Sequence, residues 1–395
     1  MKQQFLQLLK DARLNQQSQP MQLDYPLLYQ LSVEHQVSAL IYNQIYKFED
    51  FPNDLKNHWK SEAIKTNVFQ TIKTDRFLKL YQKFIDNNLK VIVVKGLICR
   101  SLYPQPDNRP SNDEDLYVEK QYLSQTKDIL INEGLIIVEE SDDVTTFVDQ
   151  SSGLSIELHT ALFSKDSKAY GKYQESFDHA FDHIVTHNIM NQNIYSLSYD
   201  LHLLFLLMHF VKHFLHGGVG VRQILDIIMY CETYGDKIHW NDIYDTLDEL
   251  NVLTLIMNVF ALSHDYLEFN YDRIVLPESF EMNQCDYEDL LDDIIDAGIF
   301  GKSSIERLHS STMTLNATAT GKTSVLKSIF PSVKDISGRY PYLKKHPYLL
   351  PVAWCNRIYH YLINKDDGNS QKTIEIGNQR IELLKKYKVI DENKK

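Results

Sequence analysis

The feature that most constrains this chain is a change of period at Val91. Up to Asn88 apolar residues recur at helical spacing: Phe5, Leu8 and Leu9, then Tyr25 to Leu31, then Val37 to Phe48. A further stripe from Leu55 to Asn88 is marked by Trp59, Ile64, Val68, Ile72, Phe77, Leu80 and Phe84, and Asn87-Asn88 stops it. The next residues, Lys90-Val-Ile-Val-Val94, form a short, continuous, β-branched run ending at Lys95-Gly96. A strand apolar on both sides must be covered on both faces, so the chain has to supply neighbouring strands and helices around it. It does. Asp113 to Val118 alternates like a half-buried strand, and a helix over 120–133 stops at Gly134. Strands are expected at Leu135–Val138, Val144–Val148 and Leu154–His159, with a hairpin at His183–Ile189 and Asn193–Leu197. The fold class is therefore α+β: a small mixed sheet with extensive N- and C-terminal helical parts.

Helices are also expected at 199–215, 220–233, 240–250, 252–265 and 286–297, and a last one holding Trp354 to Leu362. Ser303 to Thr323, rich in Ser and Thr and poor in large apolar residues, reads as a loop or linker. The expected divisions are an N-terminal helical region, 1–88; an α/β core, 89–198; a helical domain completing its cleft, 199–300; and a linker with a C-terminal helical region, 301–395. Of the 395 residues 43% are hydrophobic, ample for a core. A net charge of −12 disfavours general nucleic-acid binding but allows a local basic pocket. The four cysteines are too scattered for a disulfide framework or a metal knuckle. The first twenty residues lack the apolar length and cleavage site of a leader, and Leu201–Leu215, with three histidines and a lysine, is too short to span a bilayer. A soluble, cytoplasmic protein with no membrane partner is expected.

The chemistry concentrates in Val93–Gly96 and in Arg109-Pro-Ser111-Asn-Asp113-Glu-Asp115-Leu-Tyr-Val118. On a strand, residues i and i+2 share a face, so Asp113 and Asp115 project together. Adjacent carboxylates repel unless a cation sits between them, and Mg²⁺, or Mn²⁺ in its place, suits oxygen ligands and phosphates. Glu157 is the candidate third carboxylate, in a strand whose alternation puts Ser155, Glu157 and His159 on one face. Asp-x-Asp alone is common in acidic chains as a solvated strand start. The buried strand ending in Lys-Gly, the Arg-x-Ser-x-Asp-x-Asp run and the later strand carrying Glu set this one apart.

Together these motifs resemble the nucleotidyltransferases of the DNA polymerase β superfamily, most closely a bacterial branch of uncharacterised nucleotidyltransferases. The resemblance covers roughly residues 90 to 230, with weaker echoes from Arg339 to Trp354. It implies a polymerase β-like sheet and an NTP substrate. Lys95-Gly96 is similar to the family's loop after the first strand, where Gly admits a phosphate and Lys offsets its charge, although the best-known members carry Gly-Ser there. Asp113 and Asp115 match the metal-binding pair, and Glu157 the carboxylate that helps activate the acceptor hydroxyl. Arg109 and Ser111 match positions before the pair; Arg109 goes to phosphate, to holding the loop, or to a surface salt bridge with Asp107 or Glu114.

His209, His213 and His216 fall on one helical face, but no glutamate or cysteine completes a zinc site, so core or capping histidines compete with any functional role. The family has a similar His-x-x-Lys-His run, which implies that Lys212 or His213 borders the nucleotide cleft, and a later Arg-x-x-x-Asp, in which Asp226 would pair with Arg222. Thr320-Gly321-Lys322-Thr323 and Gly301-Lys302-Ser303 lack the earlier glycine and the strand of a phosphate loop. Two functions are in play: a Mg²⁺-dependent transfer of NMP from an NTP to an acceptor hydroxyl with release of pyrophosphate, or an inactive nucleotide-binding or protein-interaction module. The acceptor, whether small molecule, peptide, protein or RNA, is not encoded in these motifs.

Overall fold

The computed structural model describes residues 1–277, 281, 284–297, 305–320, 333–336, 340, 342–363 and 369–390. The apolar run at 92–94 forms β1 (Ile92–Val94), buried along its length in the interior of a seven-stranded mixed sheet. The other strands are β2 (Glu114–Tyr117), β3 (Ile136–Glu140), β4 (Val144–Asp149), β5 (Leu154–His159), β6 (Val185–Ile189) and β7 (Gln192–Ser196). Their order is β3-β4-β5-β2-β1-β7-β6; β1 runs antiparallel to β2 and parallel to β7, and β2 runs parallel to β5. Burial alternates along β4 and β5, whereas β3 is an exposed edge. The stretch expected to be a half-buried strand differs in two ways. All four residues of β2 are buried, with Glu114 against Leu97 and Arg100 on one face and Asp115 against Lys95 and His159 on the other, and Asp113 lies just before the strand rather than on it.

Helices cover this sheet: α1 (Lys2–Arg13), α2 (Tyr25–Glu34), α3 (Ser38–Ile45), α4 (Asn53–Asp86), α5 (Gly96–Arg100), α6 (Leu123–Asn132), α7 (Tyr199–His216) and α8 (Val221–Tyr234) precede the more C-terminal ones. One buried apolar cluster runs through α1 to α8 and on to Ile390, and Ile336, Leu343 and Ala353 form a second. No helix among the described residues is long and apolar enough to cross a membrane.

The expected stripe on α4 is only half right. Trp59, Phe77, Leu80 and Phe84 are buried, while Ile64, Val68 and Ile72 are exposed. The middle of α4 instead turns polar side chains inward, onto the loop before β2. Asn67 Nδ2 donates to Asn108 Oδ1, Thr71 Oγ1 to Asp107 and Lys73 Nζ to the Ser111 carbonyl, while Gln70 Oε1 accepts the Ser111 N–H at 2.7 Å. Polar contacts replace apolar ones here because the partner is a loop whose backbone groups need satisfying.

Ser303–Thr323 is also corrected: Ile305–Thr320 is a helix. Its hydroxyls bond to carbonyls, Ser310 to Arg307 and Thr318 to Thr314 within the helix and Thr314 to Leu215 outside it, so a Ser/Thr-rich stretch needs few large side chains to pack. Gly301–Ser303 and 321–323, where the phosphate-loop likenesses fall, lie outside the described residues.

The turn from β1 to α5 has a specific steric reason for its glycine. Glu114 faces away from Asp115 and reaches under α5, accepting from the Leu97 N–H at 2.8 Å and from Arg100 at 2.7 Å, all deeply buried. A Cβ on Gly96 would lie 1.9 Å from the Glu114 carboxylate. Gly96→Ala is therefore expected to dislodge a buried ion pair and cost on the order of 3–5 kcal/mol, measured by urea unfolding. An unchanged midpoint would mean that Glu114 relocates without penalty.

Candidate active site

Parallel pairing of β2 with β5 sets Asp115 opposite Glu157 and Tyr117 opposite His159. Residues two apart on a strand share a face, so Glu157 and His159 both project toward Asp115. His159 Nε2 lies 3.2 Å from Asp115 Oδ1 and 3.5 Å from Glu157 Oε2, and Lys95 Nζ, at the end of β1, lies 3.8 Å from Asp115 Oδ2. Asp115, Lys95 and His159 are nearly closed off from solvent, but the Glu157 side chain is 34% exposed and forms the open side of the cluster.

Charge balance accounts for the protonation states. Burial opposes ionisation of Asp115, yet the Lys95 ammonium and His159 hold its pKa down to about 2, with Lys212 on α7 assisting. Burial also opposes an imidazolium at His159, but its bonds to Asp115 and Glu157 raise its pKa to about 9. Asp113 goes the other way: burial, and then the neighbouring Asp115 charge, push it up to about 6. Lys212 is lowered by burial while Asp115 and Glu157 pull it back, and burial followed by the nearby Lys95 charge drives His209 and His213 well below their usual range. Lys212 and His213 on α7 thus feel the Asp115 charge and His209 the Lys95 and His159 charges, and His209 Nε2 and His213 Nε2 lie 3.1 Å apart. His216 falls outside the cluster, against the Tyr170 hydroxyl at 3.2 Å.

Lys95 itself is a strained residue, with φ 65° although it carries a side chain. Its N–H donates to Nε2 of His202 at 3.2 Å, and Nδ1 of His202 sits 2.7 Å from the Ser196 hydroxyl on β7, with the ring stacked on Tyr230. Burial lowers the His202 pKa to about 3, so Nε2 is free to accept. His159 and His202 were both missed as site residues by sequence reasoning. His159 had a signal, its shared face with Glu157; His202, inside the apolar run of α7, had none.

Several expected site residues do structural work instead. The place against Gly96 is filled by Glu114. Arg109 is fully buried, its Nε donating to Asp226 at 3.0 Å beside the Tyr103 hydroxyl at 2.9 Å, so it holds the loop rather than meeting phosphate. Ser111 donates to the Asp113 carbonyl. The expected Arg222–Asp226 pair is not formed. The Arg109 fork takes Asp226, and Arg222 donates to the Pro110 carbonyl at 2.7 Å and to Gln36. Planar bidentate geometry with Arg109 outcompetes an approach along the same helix.

For a divalent cation the fitting group is Asp115, Glu157 and His159, whose ligand atoms all lie within 4.8 Å of one another. Among the described residues no group of three at this spacing includes Asp113, although the charges of Asp115 and Glu157 act on it. A cation seated there would replace the proton that His159 shares with the carboxylates.

The model of a family described as uncharacterised nucleotidyltransferase matches residues 22–268, which include every residue of this cluster. No curated protein and no solved structure matches the chain.

His202 gives a pH test. A base whose folded pKa lies below its usual 6.5 contributes stability that is complete above pH 6.5 and is lost as pH falls toward 3. The unfolding free-energy difference between wild type and His202→Gln should therefore shrink by about 1.4 kcal/mol per pH unit below 6.5. Denaturation at pH 7.5, 6 and 5 measures it, and a constant difference would contradict a neutral His202.

Proposed function

Because the chain belongs to the uncharacterised nucleotidyltransferase family, we propose that it moves a nucleoside monophosphate from an NTP to an acceptor hydroxyl and releases pyrophosphate, at the cluster of Asp115, Glu157 and His159. The observation that carries this is the in-register parallel pairing of β2 with β5, which sets two carboxylates side by side beneath Lys95 and Lys212. A bound divalent cation would supply charge neutralisation at the transferring phosphate. Asp115 and Glu157 are the residues to hold it.

The remaining steps belong to the protein's own groups. Lys95 and Lys212 give the cleft a local positive field in a chain of net charge −12, which draws the triphosphate to this point. Glu157, the carboxylate that solvent reaches, takes the proton of the acceptor hydroxyl as its oxygen attacks the α-phosphorus. Asp115 is held by Lys95 and His159 before any substrate arrives, so the field is preorganised. The strained Lys95 backbone, gripped by His202, keeps the ammonium aimed across the cluster. A second reading, a module that binds nucleotide without turnover, is favoured by the fact that Lys95 and His159 already neutralise the carboxylates.

Pyrophosphate release from NTP with Mg²⁺ or Mn²⁺, screened over hydroxyl acceptors, separates the two. In Asp115→Asn the turnover is expected to fall at least ~100-fold, the scale for removing one preorganised electrostatic group. Circular dichroism should be unchanged, because the amide oxygen still accepts from His159. Lys95→Met should weaken NTP binding by about 1–3 kcal/mol and should also lower the melting temperature, since it leaves Asp115 buried without its ammonium. NTP binding without turnover for every acceptor would establish the binding module, and full activity in Asp115→Asn would refute transfer at this cluster.

A further inference from the structure

The third group facing the two carboxylates is a nitrogen donor. Deepening the reading above, on which it rests only for the identity of the site, we propose that His159 is a direct metal ligand through Nε2 and that the site therefore selects a first-row transition ion of the Mn²⁺ kind over Mg²⁺.

The three side chains offer a three-donor set. One oxygen of Asp115, one of Glu157 and Nε2 of His159 lie within 4.8 Å of one another, so a single ion can touch all three. The ring has no competing engagement: Nδ1 is buried with no partner among the described residues, so its polar contacts all run through Nε2 toward the carboxylates. The face it projects from is fixed by the backbone, because His159 pairs with Tyr117 on β2 and with Val144 on β4. Asp113, the other carboxylate in this neighbourhood, belongs to no such three-donor group.

Donor chemistry then decides the ion. Mg²⁺ keeps a near-octahedral shell of oxygens and gains little from an imidazole. First-row transition ions accept imidazole nitrogen together with carboxylate oxygens, and nitrogen donors raise their affinity relative to Mg²⁺. A set of two carboxylates and one imidazole, with Lys95 and Lys212 reducing the net negative charge, loses more for Mg²⁺, which depends on charge, than for an ion that bonds to the nitrogen.

The test uses the full chain stripped of metal, with Mn²⁺ and Mg²⁺ as probes, with and without ATP. Pulsed electron paramagnetic resonance of bound Mn²⁺ is expected to show ¹⁴N coupling from a directly bound imidazole in the wild type and none in His159→Gln. Calorimetry should show Mn²⁺ binding more tightly than Mg²⁺, and His159→Gln should lose at least the ~10-fold that even an outer partner of a ligand is worth for Mn²⁺, with Mg²⁺ affinity nearly unchanged. Bound Mn²⁺ without nitrogen coupling in the wild type would overturn the proposal, and this needs no variant to fold. Coupling that persists in His159→Gln would assign the nitrogen to His209 or His213 and overturn it too. Failure of nucleotidyl transfer looks different: nitrogen coupling would be intact while no acceptor yields pyrophosphate.

Discussion

Two like-charged side chains forced together on neighbouring parallel strands organise the rest of this structure. Asp115 and Glu157 are adjacent because β2 and β5 run parallel in register, and that register is set by backbone hydrogen bonds, not by the carboxylates themselves. Their repulsion has to be offset locally, and the fold does so with cations from separate parts of the chain: Lys95 at the end of β1, His159 from β5 itself, and Lys212 from α7. Neutralisation by groups so distant in sequence makes the cluster a test of the whole fold, since displacing any one element unbalances the site.

The shell around the cluster is polar and buried. Below the sheet, Glu114 on the opposite face of β2 ties α5 to the strand through Leu97 and Arg100, which leaves no room for a side chain at Gly96. Above it, the loop leading into β2 is held from two sides: by the polar inner face of α4, and by Arg109 and Arg222, which join it to α8 and to Gln36. Buried arginines in such numbers are costly to desolvate: Arg100 and Arg109 each meet a carboxylate and Arg222 meets carbonyl oxygens, while Nη1 of Arg100, Nη1 of Arg109 and Nε of Arg222 have no partner among the described residues. What they contribute is position: they hold the loop that carries Asp113 and leads into Asp115 on β2.

His202 shows how a buried group can serve the site without touching it. Its neutral ring accepts the N–H of Lys95 and anchors on Ser196, coupling a strained residue at the end of β1 to the adjacent strand β7. Strain of this kind persists only where surrounding contacts over-determine it. Stacking on Tyr230 supplies one more of those contacts.

The sequence by itself determined the architecture's grammar. The β-branched run at 91–94 demanded a covered strand, and the alternation around Glu157 placed it and His159 on one face; both follow from local periodicity, which short-range sterics enforce. Local pattern also carried the family resemblance, through Lys95, Asp113, Asp115 and Glu157. Tertiary structure decided everything that depends on which distant groups meet. It gave Asp226 to Arg109 instead of Arg222, filled the space at Gly96 with Glu114, turned the exposed half of the α4 stripe to solvent, made a helix of Ile305–Thr320, and put His159 rather than Asp113 into the three-donor group. Spacing along a chain specifies which side chains share a face, but partners across 117 residues, as for Arg109 and Asp226, are chosen by geometry and desolvation that only the packed molecule defines.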